Sequence, residues 1–173
     1  MKNSVLLASL LLVASAWAQA PQGEIKGDAV VHTAASAQDV IAGAQVALPA
    51  SVTGGAPYLG PLRGAPKEAR QRVPVVVFMH GSSGLALKAI GEWQQWLAGM
   101  GIASLAPDSF ALPGRVTYTS PISKDQYERI HAMRLAEVAP ALKAIAAQPW
   151  ADVTKLVLAG SSEGGVPVAR YAG

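Results

Sequence analysis

The chain has 173 residues, with 14 basic and 11 acidic side chains, a net charge of +3 and no cysteine. That length suits one domain, an apolar content of 51% excludes disorder, and so small a net charge does not mark a nucleic-acid binder. Without cysteine there is no disulfide framework, no cysteine-ligated zinc, no thiol nucleophile and no lipid-bearing N-terminal cysteine.

Residues 1–18 read as a secretory signal peptide. Lys2 supplies the positive start, Val5 to Val13 the apolar core, and Ala16-Trp17-Ala18 a small-residue cleavage site. The apolar core is shorter than the roughly 20 residues a bilayer span needs. Cleavage is expected after Ala18, with Ala20 as the alternative; Pro21 directly after Ala20 disfavours the second site. Losing Lys2 leaves a mature charge of +2. The mature protein is expected to be secreted or periplasmic and free of the membrane.

Residues 19–72 read as an N-terminal arm, an edge strand and a Gly/Pro-rich loop. The arm carries His32 and a weak apolar stretch at Ala29 to Val31, and Gln45 to Pro49 reads as a strand. Residues 50–72 read as a loop or a hairpin with a long excursion. Arg63, Lys67, Arg70 and Arg72 there read as a solvated basic run.

Residues 73–173 are more regular. Val73 to Met79 is a continuous apolar run, as expected of a strand covered on both faces. Leu85 to Met100 has a helical stripe at Ala89, Ile90, Trp93, Trp96, Leu97 and Met100, which places both tryptophans in the core. Ile102 to Ala106 is the next strand, and residues 108–121 are a loop. Ser123 with Gln126 predicts a capping box. Tyr127, Ile130, Arg134, Val138, Leu142 and Ile145 continue as one helical stripe, which Pro140 should kink or divide. Pro149 to Thr154 is a predicted turn, Lys155 to Ala159 a third strand, and Gly160 to Gly165 a tight turn. A helix follows from Val166, with Pro167 in its first turn. Alternating strands and helices predict an α/β fold: a mostly parallel sheet with helices on both faces. Functional loops then lie at the carboxyl ends of the strands.

One of those ends reads Gly160-Ser161-Ser162-Glu163-Gly164, a G-x-S-x-G pattern centred on Ser162. In such a turn the serine hydroxyl stands above the sheet, and glycines on either side relieve crowding. A second end reads His80-Gly81-Ser82-Ser83-Gly84. The backbone N–H groups of Ser82 and Glu163 are the expected oxyanion donors, with His80, Gly81, Gly160 and Gly164 in support. Asp108 and Ser109, at a third strand end, read as possible substrate contacts or as an Asx turn.

On the segments VVVFMHGSSGL, GIASLAPDSF, RLAEVAPALKAI and KLVLAGSSEGG, residues 73–173 resemble the α/β-hydrolase fold, and within it the secreted dienelactone hydrolase-like group. Dienelactone hydrolases use a cysteine nucleophile, so a serine at 162 aligns the chain with their esterase-like relatives. The resemblance implies hydrolysis of a small ester or other acyl substrate, with Ser162 as nucleophile and no cofactor. In this fold the acid and then the histidine follow the serine. His32, His80 and His131 all precede Ser162, and His131 reads as a histidine of the helix face. The expectation is therefore a hydrolase core truncated after the nucleophile turn, with little turnover of its own. The competing readings are a non-catalytic binding protein that retains the turn, and a partner chain that lends the missing histidine. No metal-ligand spacing is present, and no pattern fixes an oligomeric state.

Overall fold

A computed structural model describes residues 22–173 of the chain. The expected signal peptide and both cleavage sites lie outside the described residues. Among those residues, no helix is long and apolar enough to cross a membrane.

The elements run β1 (Ile25–Lys26), α1 (Ala34–Ala42), β2 (Gln45–Leu48), α2 (Ala50–Thr53), β3 (Tyr58–Pro61), β4 (Val73–Met79), α3 (Lys88–Gly99), β5 (Ala103–Ala106), β6 (Thr117–Tyr118), α4 (Lys124–Ala136), α5 (Val138–Ala146), β7 (Ala151–Gly160) and α6 (Gly165–Arg170). Five strands form one sheet in the order β3-β2-β5-β4-β7. β4 pairs in parallel with β5 and β7, while β2 runs antiparallel to both β3 and β5. Four strands therefore point one way and β2 opposes them, giving the mostly parallel sheet that the apolar runs predict.

Alternation along β4 explains its continuous apolar sequence. Val73, Val75, Val77 and Met79 pack in one cluster with Val138, Ala141 and Ile145 of α5. Phe78, pointing the other way, meets Trp93 of α3 with ring centroids 5.0 Å apart. Helices thus cover both faces of β4. β7 has β4 on one side and no strand on its other side among the described residues.

Several expectations are corrected. The arm contains a helix: Thr33 caps α1 and exchanges side-chain hydrogen bonds with Ser36, a box built on serine rather than on Glu or Gln. The arm's strand is Ile25–Lys26, paired with β6 inside the segment expected to be a loop. Of the two readings of residues 50–72 the hairpin holds: β3 pairs back on β2, with a short α2 in the excursion. β7 starts at Ala151, where a turn was expected, because a bulge opposite Val73 and Val75 lets the pairing continue. The long helix divides at Glu137, three residues before Pro140. Pro140 has no N–H for the Ala136 carbonyl, and its ring crowds that oxygen, so the break falls one turn upstream. The Ser123–Gln126 capping box forms as expected. Trp96 is 59% exposed, whereas Gln94 on the same helix is fully buried and donates to the Gln45 carbonyl at 3.2 Å. Burying a glutamine with its partner lets α3 roll away from the stripe that apolar spacing alone would choose.

Candidate active site

Met79 and Gly160 are paired in register at the ends of β4 and β7. The Ser161 N–H extends that ladder to the Met79 carbonyl at 3.2 Å. The loop after β4 and the turn after β7 are therefore held side by side. A single 3-10 turn, Ser162–Gly164, then leads into α6.

Ser162 has φ +49°, the only positive φ at a non-glycine among the described residues. A serine there is strained, and the flanking contacts hold it in place. A Cβ at Gly164 would lie 2.1 Å from the Met79 carbonyl oxygen, and one at Gly160 would lie 2.3 Å from the Gly164 carbonyl oxygen. Both glycines are required by packing. A Cβ at Gly81 would come within 3.2 Å of the Ser162 Cβ, which shows how closely the two loops approach.

Ser161 and Ser162 open onto a hollow of about 400 Å³ lined by Phe78, Gly81, Ser82, Ser83, Leu87, Ala89, Ile90 and Trp93. The N–H groups of Ser82 and Glu163 donate to no backbone carbonyl in the turns and loops. Asp108 and Ser109 do not line this hollow. Asp108 accepts the Phe110 N–H, so the Asx-turn reading of this pair holds, and Ser109 is fully buried.

Beneath the turn lies a buried polar cluster. Arg115 donates from Nη2 to the Glu163 carboxylate and from Nε to Ser109 Oγ at 2.8 Å. Ser109 Oγ donates to Glu137 Oε1 at 2.6 Å, and His32 Nε2 lies 3.0 Å from the same oxygen. Arg134 lies 3.1 Å from Glu137 and 3.6 Å from Glu163, and it donates to the His80 carbonyl at 2.8 Å. Two arginines face two glutamates, so the fixed charges of the cluster balance. Burial alone would raise the Glu137 carboxyl, but the His32 hydrogen bond and Arg134 hold it below the usual carboxylate range. Burial and the adjacent Glu163 carboxylate push the Tyr118 phenol up to about 12.

His80 joins this cluster to the loop beside Ser162. Its Nδ1 lies 2.7 Å from the Gly81 carbonyl, and its Nε2 accepts the Ser109 N–H at 3.2 Å. These partners select the neutral imidazole with the proton on Nδ1. Burial, reinforced by Arg134, pushes its pKa down to about 4. These bonds leave neither nitrogen free for Ser162. His131 stacks on Tyr127 with centroids 6.0 Å apart. His32 and His80 thus have hydrogen-bond partners other than Ser162, and the His131 Nδ1 is buried with no partner among the described residues.

Sequence reasoning missed His32, Arg115 and Glu137. The signal for Arg134 was present, since it falls on the apolar stripe of its helix, and Glu137 one turn later is its ion-pair partner. Nothing local marks His32 or Arg115.

No family model and no curated protein sequence matches the chain. Among solved structures it is similar to a cold-adapted esterase from an Arctic intertidal metagenomic library, at 22% identity and a TM-score of 0.40. The likeness covers 73% of this chain and 55% of that one.

Proposed function

We propose that the chain is the nucleophile-bearing part of an exported serine hydrolase of the α/β-hydrolase type, related to the dienelactone hydrolase-like esterases and acting on an ester, lactone or similar acyl substrate. Ser162 attacks the carbonyl, and the N–H groups of Ser82 and Glu163 hold the oxyanion. His80, Gly81, Gly160 and Gly164 keep these groups in place. The observation that carries the reading is the strained Ser162 backbone at a strand-to-helix turn, opening onto a hollow.

A second reading is a non-catalytic binding protein that retains the turn. It is favoured by the hydrogen bonds that hold His32 and His80 to partners other than Ser162.

Prolonged exposure to a fluorophosphonate, followed by peptide mass analysis, separates the two. The hydrolase reading expects an adduct on Ser162, lost in Ser162→Ala and kept in Ser161→Ala. Equal labelling of the wild type and Ser162→Ala would overturn it in favour of the binding protein.

A further inference from the structure

We propose that the hollow beside Ser162 selects a neutral substrate with an aromatic or compact aliphatic group, and rejects one that carries a carboxylate. This rests on the hydrolase reading and names the substrate class of that site.

The lining carries no charged side chain. Phe78, Leu87, Ile90 and Trp93 supply its apolar surface, and its polar groups are the Ser82, Ser83, Ser161 and Ser162 hydroxyls and the loop backbone. The tilted Phe78–Trp93 pair forms an aromatic wall against which a ring can pack edge or face. Nearby charges are already matched. Lys88 and Glu92 on α3 pair with each other at 2.9 Å. Arg115 and Arg134 are buried against Glu163 and Glu137. A carboxylate carried away from the Ser82 and Glu163 N–H groups, against Phe78, Leu87, Ile90 and Trp93, would lose hydration and find no cation to replace it. The open N-terminus of α3 offers only about half an elementary charge. A neutral ring or alkyl group would lose nothing polar and gain apolar contact.

The test uses two ketones of nearly equal shape that are not hydrolysed: 4-(3-oxobutyl)benzamide, which is neutral, and 4-(3-oxobutyl)benzoate, its carboxylate counterpart, so that the carbonyl meeting the oxyanion donors is the same in both. Binding is read from the Trp93 indole N–H in nitrogen-edited NMR, assigned by its loss in Trp93→Phe. The benzamide is expected to bind about tenfold or more tightly than the benzoate. Leu87→Lys places a cation on the exposed rim, and it should narrow the ratio by strengthening benzoate binding. Ala89→Lys, also exposed, should do the same, so the result does not depend on one variant folding well. Equal affinities in the wild type, or probes that leave the Trp93 signal unmoved, overturn the proposal. Fluorophosphonate labelling of the same preparation keeps the two questions apart. Binding preference without a Ser162 adduct sinks the hydrolase reading alone, and a Ser162 adduct without preference sinks the substrate class alone.

Discussion

Arg115 reaches the Glu163 carboxylate with both side chains almost wholly buried, at 2% and 0% exposure. Glu163 follows the serine directly, so this ion pair anchors the strained turn from below. Removing one partner leaves the other charged and desolvated. Arg115→Met should cost about 3–5 kcal/mol, measured by urea unfolding. Arg115→Met with Glu163→Leu should cost clearly less than the two single changes added together, because no orphaned partner charge of that pair remains.

The neutral state of His80 predicts a pH dependence. Its folded pKa of about 4 lies below the ordinary 6.5. Between those values the unfolded chain binds the proton that the folded one refuses, so stability falls as pH drops through that window. It is flat with respect to this group above about pH 7. The full loss is on the order of 3 kcal/mol. Urea unfolding at about pH 7, 6 and 5 checks it: the wild type should weaken steadily, and His80→Gln should start weaker but show a shallower slope.

Packing around the turn predicts a contrast between glycines. Gly164→Ala must displace the Met79 backbone and should lower stability by several kcal/mol. Gly55, whose added Cβ meets nothing within 4 Å, should tolerate alanine within about 0.5 kcal/mol. Thermal melts of the two variants decide it; equal shifts would contradict the packing argument.

Two tryptophans should behave oppositely. Trp150 is fully buried in the main core, and Trp150→Ala should cost about 3–5 kcal/mol. Trp96, more than half exposed, should cost under about 1 kcal/mol as Trp96→Ala. Chemical denaturation of both variants provides the comparison.

The sheet core was legible because each signal for it is local. Val73 to Met79 and Ile102 to Ala106 announce covered strands by composition, and Ser123 with Gln126 announces a helix start. The turn around Ser162 was legible because its glycines are demanded by backbone contacts a few residues away. α1 escaped because its cap uses Ser36 and its residues are small, leaving little apolar periodicity. The direction in which α3 faces escaped because one buried hydrogen bond, from Gln94 to Gln45, outweighs the stripe. The polar cluster escaped for a different reason. Arg115, Ser109 and His32 look solvated in sequence, and only the meeting of distant segments gives them partners.

That distance has a kinetic consequence. The cluster joins His32 to Glu137 across 105 residues, and Arg115 to Glu163 across 48. Contacts so far apart in the chain carry a large loop-closure cost and form after local structure. A chain still being synthesised can form the β2–β3 hairpin and α3 early, but it cannot complete the support under Ser162 until Glu163 has emerged. The support under the strained turn is therefore completed only after the hairpin and α3, and a slow or interrupted synthesis would leave the turn unsupported in the meantime.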